Sequence, residues 1–328
     1  METLVKIISW VFPDFHFQWL VDESKKNIPQ ELDFVQEGKN AEKISKAFRH
    51  YDWLKVPTIR WDLTTKRVLT MEYIEGGQVN DLKYIKENKI NPYEVTEKLG
   101  TLYSEMIFLN GFVHSDPHPG NILVKKSDKG GVNVILLDHG LYATLTNELR
   151  VSYAKLWLSI LNRDRKGMRM YSDKLGIQGD LYGLFACMVA GRSWDSILQG
   201  LEGRAKDLNG ERRTMQTALP KFLPQISGIL ENVNRQMLLI LKTNDLIRGI
   251  EHTLGTHTRN GAFRIMCYYC IRSIYSQKLY YCHTKIQRLK VSVAEKWLLL
   301  KLKVYYFFVY LGNWCNILVS LGKRPALM

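Results

Sequence analysis

Asp116, Asn121 and Asp138 are the residues of this sequence whose types and spacing could do chemistry. Asp116 and Asn121 stand in "GFVHSDPHPGNILV", residues 111–124, and Asp138 stands in "ILLDHGL", residues 135–141. Transfer of a phosphoryl group asks two things of a protein at such a place. A carboxylate must accept or orient the proton of the attacking hydroxyl, and oxygen ligands must hold Mg2+ against the phosphates. Asp116 is the candidate catalytic residue, in a loop just after a buried helix. Asn121 would supply an amide oxygen and Asp138 a carboxylate, so these two are the candidate metal ligands. Gly140 lets the backbone turn sharply after Asp138.

The order D-x4-N followed by D-x-G matches the catalytic-loop and metal-loop signature of kinases. The alternative is a pair of turn carboxylates in an ordinary hairpin. Two further sets could serve a nucleotide. The strand "RVLTMEYIEGG" could offer backbone groups of Glu72 and Ile74 to an adenine edge, with Met71 lining the pocket, or it could be a plain hairpin strand. Glu31, Asp33 and Glu37 could include the helix carboxylate that kinases pair with a strand lysine. Asp33 and Glu37 are four apart and share a helix face, whereas Glu31 points elsewhere. The other option is a solvated acidic face. His114 and His118, four apart and near Asp138, raise a zinc site, but the prolines around them break a common helical face. The competing reading makes His114 a structural histidine that holds the loop and His139 a packing residue. "CYYC" at 267–270 lies in an apolar, aromatic stretch and reads as buried thiols rather than a metal pair.

The elements that must position these groups are visible around them. Residues 2–11 and 16–27 read as helices interrupted at Pro13. A helix follows Pro29, with Ile44 and Phe48 one turn apart on its buried face. "VPTIRWDL" and "RVLTMEYI" read as a hairpin turning at residues 64–66. "NPYEVTEKLGTLYSEMIFLNG" is a well-marked helix: Asn91 caps it, Pro92 suits its first position, and Gly111 suits its stop. Val95, Leu99, Leu102 and Met106 share one face. "NILVKK" and "VNVILLD" are strands joined by the glycine turn "SDKGG". Residues 146–254 are mostly helical, with "LPKFLPQISGIL" broken by two prolines. "THTRNG" is a polar linker, and the remainder is helical, basic and aromatic.

Composition sets the outer bounds. An apolar content of 46% supports a packed core. Five cysteines form no disulfide-like framework. The net charge is +14, and from Leu254 onward twelve Lys and Arg stand against Glu295 alone, so +11 of it lies there. A basic tail points to an anionic partner, a membrane surface before a nucleic acid, since no nucleic-acid recognition motif accompanies it. Residues 304–322 carry no charge over 19 positions. They are read as a bilayer span, an interfacial anchor or a packed helix. The start of the chain lacks the basic n-region of a signal peptide and the Arg-rich character of a transit peptide.

At "VHSDPHPGNILV", "LLDHGLY" and "ELDFVQEGKNAEK" the sequence resembles the AarF-domain (UbiB-like) atypical kinases. "FACMVAGRSWDSI" and "QMLLILKTNDLIRGIE" extend the match to about residue 255 and resemble one mitochondrial branch of that family. The resemblance implies an α+β, protein-kinase-like fold. It would comprise a truncated N-lobe over 1–76, a mostly helical C-lobe over 77–255, and a basic helical tail over 256–328. It also implies ATP and Mg2+, a mitochondrial setting, and a role in lipid or quinone homeostasis. By resemblance, Asp116 takes the catalytic-loop position, Asn121 and Asp138 the metal positions, Glu31 and Asp33 the family's E-x-D motif, and Glu37 the lysine-pairing position. No G-x-G-x-x-G and no V-A-x-K strand occurs in the sequence; the family's nucleotide loop and lysine strand would lie upstream of Met1. Two other functions compete: a catalytically inactive remnant that binds lipid or protein, and a small-molecule kinase of the aminoglycoside or choline type. The short stretch between Asp138 and the helix near Thr146 leaves little platform for a peptide and favours a small or lipidic substrate.

Overall fold

The computed structural model describes residues 32–199, 222–256 and 261–322, with a few isolated residues between 21 and 29. The helix expected over 2–11 lies outside the described residues, as does that over 16–27 except for Val21 and Lys25, both helical. Helix α1 spans Phe34–Ala47 and is capped by Asp33, whose carboxylate accepts from the Gln36 amide at 3.3 Å. Its Ile44 and the following Phe48 are buried in the core, as the spacing predicts. Gly38 is required by packing: a Cβ there would meet the Trp61 ring at 2.7 Å.

The two expected strands run antiparallel but pair only through isolated bridges, Ile59 with Met71 and Thr65 with Val68, and form no regular strand. Arg60 N donates to Thr70 O and Glu72 N to Thr58 O, both at 2.8 Å. A 3-10 turn at Trp61–Leu63 interrupts the first run, and the chain reverses between Thr65 and Val68. The turn at Lys66–Arg67 overlaps the expected 64–66 and extends one residue beyond it. A short strand β1, Leu54–Lys55, precedes the hairpin, and β2, Gly77–Gln78, follows it.

After helix α2, Leu82–Glu87, comes α3, Pro92–Glu105, the centre of the molecule. Val95, Leu99 and Leu102 on α3 and Met106 just beyond it are fully buried on one face. Asn91 caps α3, and its last turn widens into a π-helical turn at Met106–Asn110. Gly111 ends it with φ +77°, a left-handed conformation in which its amide donates to Met106 O at 2.7 Å.

That stop launches the site strands. These are β3 (Phe112–His114), β4 (Ile122–Lys126), β5 (Val132–Leu136) and β6 (Tyr142–Thr144). β4 and β5 form the expected antiparallel hairpin, with Ile122 opposite Leu136 and Gly130 and Gly131 at positive φ in the turn. The four-stranded sheet runs β1-β5-β4-β2, and β3 pairs with β6 in a second ribbon. β4 and β5 were legible as two short runs joined by a glycine turn. β1, β2, β3 and β6 were not, being two or three residues long.

Helices complete the body: α4 (Asn147–Leu161), α5 (Arg165–Lys174), α6 (Tyr182–Ala190) and α7 (Trp194–Gln199), then α8 at 222–232 and α9 (Arg235–Thr253). Pro224 lies within the helical residues 222–232. Among the described residues it therefore does not break the helix. Helix α10, Gly261–Tyr280, buries Ile265, Cys267, Cys270 and Ile274 in the core. The thiols of Cys267 and Cys270 are buried and form no disulfide, and burial pushes the Cys270 thiol well above its ordinary range. A polar knot ties α10 to α3: Glu105 accepts from Tyr269 at 3.1 Å and from Tyr51, and pairs with His50 at 3.2 Å. Helix α11, Lys285–Gly322, is the last element. Among the described residues no helix is long and apolar enough to cross a membrane.

Candidate functional site

The β4–β5 hairpin and the loop after β3 bring the three candidate residues together. Asn121 closes a 3-10 turn, Pro119–Asn121, capped by His118, whose Nδ1 accepts from Gly120 N at 3.1 Å. Its own amide donates to His118 O, and its carbonyl accepts from Leu137 N at 3.0 Å. The side chain is thereby aimed across the hairpin mouth, where its Nδ2 donates to Asp138 Oδ2 at 3.1 Å. Asp138 Oδ1 accepts from Gly140 N at 2.8 Å, which fixes the carboxylate over the turn.

His114 joins the two loops. It is 2% exposed; its Nδ1 accepts from Asp116 N at 3.1 Å, and its Nε2 lies 2.7 Å from Asp138 O. The carbonyl can only accept, so the proton sits on Nε2 and the ring is neutral. Burial holds its pKa below the ordinary imidazole range, against the pull of Asp138 and Asp116. His139 is 1% exposed, with Nδ1 at 2.8 Å from the Tyr142 hydroxyl and Nε2 at 3.2 Å from Leu136 O. His114 and His139 are thus structural, and their ring nitrogens are committed to the loops they hold.

Burial pushes the His139 pKa down to about 3. Below pH about 6.5 the unfolded imidazole takes up a proton that the folded one does not, so stability falls with pH at about 1.4 kcal/mol per unit. Between pH 6.5 and 5 this amounts to about 2 kcal/mol. Glu37 acts in the opposite sense, because burial raises its pKa. That contribution cancels when two variants are compared. His139→Phe is expected to be less stable at pH 7 but to lose about 2 kcal/mol less than the parent over that interval. Urea unfolding at both pH values checks this, and equal losses in the two proteins would refute it.

Helix α1 clamps the Asp138 turn. Glu37, 8% exposed, accepts from His139 N at 3.1 Å, and Asn40 Nδ2 donates to His139 O at 2.9 Å. Burial is the main cause of the raised Glu37 pKa, the His139 amide works against it, and the Asp138 charge adds to it. Asn40 was missed by the sequence reading, although it lies one turn beyond Glu37. Asp33 does not join the site: its carboxylate caps α1 and lies 3.8 Å from Lys66. It shares α1 with Glu37, but it sits at the cap, outside the first helical turn. Glu31 lies outside the described residues.

The strand residues behave differently from one another. Glu72 gives its amide to Thr58 O, and its exposed carboxylate accepts from Thr58 N and Oγ1 at 3.1 and 2.9 Å. Its N–H is therefore used inside the hairpin and is not offered to an adenine edge. Met71 bridges to Ile59, and both Met71 and Ile74 are half-buried.

Asp116 has a partner that spacing could not reveal. Lys242 of α9 places Nζ 2.9 Å from Asp116 Oδ1, across 126 residues of sequence, and both side chains are about half exposed. The signal was present only as one cation in the apolar run "MLLILKTN". Hard oxygen ligands at Asn121 and Asp138 suit Mg2+, which is held by one or two carboxylates together with substrate phosphates. Among the described residues no cluster of three His, Cys, Asp or Glu is arranged to hold a metal by itself.

Comparison with known proteins places these features in context. The ABC1 atypical kinase-like domain matches residues 1–172. The chain is 54% identical to AarF domain-containing kinase 1 of Drosophila melanogaster over 329 aligned positions, covering 100% of this chain and 62% of that protein. It is 50% identical to AarF domain-containing protein kinase 1 of Mus musculus, covering 100% of this chain and 63% of that protein. It is 35% identical to the ABC1 family protein MCP2 homolog of Schizosaccharomyces pombe, over 84% of this chain and 51% of that one. The chain spans just under two thirds of the length of the first two.

Proposed function

The chain belongs to the ABC1 (AarF-domain) family of atypical kinase-like proteins, and from that premise we propose that it handles Mg-ATP and acts as an atypical kinase or ATPase. The observation that carries this reading is the fixed constellation of Asp116, Asn121 and Asp138. Its two loops are joined through a single buried imidazole. Asp138 and Asn121 would hold Mg2+, which neutralises charge on the phosphates. Asp116 would orient the attacking hydroxyl or water and take its proton. Lys242 lies close enough to Asp116 to hold that carboxylate in place.

The substrate is proposed to be a lipid or a quinone, in mitochondrial lipid or quinone homeostasis. Support comes from the short path after Asp138. β6 begins at Tyr142, pairs at once with β3, and α4 begins at Asn147, so there is little room for a peptide platform.

ATP turnover by the purified chain, beside Asp116→Asn, tests the reading. Loss of the general base is expected to lower turnover by roughly 100-fold or more. Equal turnover in the two proteins, or none above background in the parent, would overturn it.

A further inference from the structure

Helix α11 carries an exposed apolar stripe at strict helical spacing. Ile286, Leu289, Val293, Trp297, Leu300 and Val304 follow one another at steps of three or four and are each between 45 and 68% exposed. At about 100° per residue they fall within an arc of roughly 80°, over a length of about 27 Å. The opposite face is the one that packs: Leu302 rests against the core, and Glu295 lies 4.0 Å from Arg272 of α10.

Two rows of lysines border the stripe. Lys285, Lys296 and Lys303 lie along one edge, Lys290 and Lys301 along the other, and all five are exposed. Lys301 also sits 5.4 Å from the Trp297 ring. The sole acid between 285 and 304 is Glu295, on the packed face. Tyr280 and Tyr281, 82 and 63% exposed, lie just before the helix.

We propose that this face of α11 lies in the plane of an anionic lipid bilayer, with the stripe in the acyl boundary and the lysine rows on the headgroups. An apolar face flanked by cations with aromatic residues among them is the pattern of an interfacial helix. The charge pattern also separates this occupant from a second copy of the chain: pairing two such faces would bring lysine rows together with no acid to meet them. A span is a different arrangement, and no helix among the described residues is long and apolar enough for it. This surface shares no residue with the Asp116, Asn121 and Asp138 site, so it can fail without the kinase-like reading failing.

Sedimentation of the full chain with large vesicles tests it. One set is phosphatidylcholine alone; the other contains a substantial fraction of phosphatidylglycerol. Binding to the anionic set is expected to exceed binding to the neutral set by at least about tenfold, and to weaken in high salt. Two double variants, Val293→Glu with Leu300→Glu and Lys290→Glu with Lys301→Glu, are each expected to abolish that preference. Their circular dichroism and thermal midpoints should stay at parent values, because every replaced side chain is exposed. Failure of the parent to bind anionic vesicles would overturn the proposal. So would binding that survives both double variants, or a change from dimer to monomer in the stripe variant.

Discussion

His114→Ala is expected to destabilise the chain by about 3–5 kcal/mol and to erase any response to nucleotide. The size follows from what the ring holds. Removing it strips the partner from Asp116 N and from Asp138 O, and a buried polar group without a partner costs about 1–3 kcal/mol. It also leaves a cavity beside Tyr103, His139 and Tyr142, whose rings lie 5.1–6.3 Å from that of His114. His114→Phe separates the two contributions: it refills the volume but makes neither bond. It should recover the cavity part of the stability and none of the loop alignment. Urea unfolding of the three proteins checks the ordering. If His114→Ala unfolds within about 1 kcal/mol of the parent, the ring is not what joins the two loops.

The site's ingredients were legible because they are local. The D-x4-N and D-x-G spacings, the cap at Asn91, the stop at Gly111 and the glycine turn at 130–131 all act within a few residues of themselves. What remained hidden depends on distance. Lys242 reaches Asp116 only because α9 lies beside the loop after β3, and no local pattern encodes that approach. Asp33 and Glu37 are both acids on one helix, yet one caps it and the other grips the Asp138 turn. A helical wheel gives faces, not the neighbour each face meets. Residues 67–74 read as a strand by composition, yet they hold only isolated bridges at Val68 and Met71. Composition could not say that the Glu72 amide would be used by Thr58. The exposed stripe of α11 shows the same limit. Its spacing reads equally as a buried face, and only the packing of the opposite side leaves it at the surface.

Asp138→Asn carries the second large effect. A ligand bound by the folded state alone raises stability by about 2.7 kcal/mol at a hundredfold excess over its dissociation constant. That whole gain should vanish in the variant. Replacing the carboxylate with an amide keeps one acceptor oxygen for Gly140 N or Asn121 Nδ2 but removes the charge that Mg2+ needs. The unliganded variant should therefore melt near the parent, within the roughly 1 kcal/mol that one lost hydrogen bond contributes.

Thermal unfolding of the chain and of Asp138→Asn, each with Mg-ATP, with ATP and chelator, and with neither, is the measurement that bears most directly on the site. The account predicts a Mg-dependent rise of several degrees in the parent and none in the variant. No rise in the parent at millimolar Mg-ATP, or the same rise in both proteins, would contradict it.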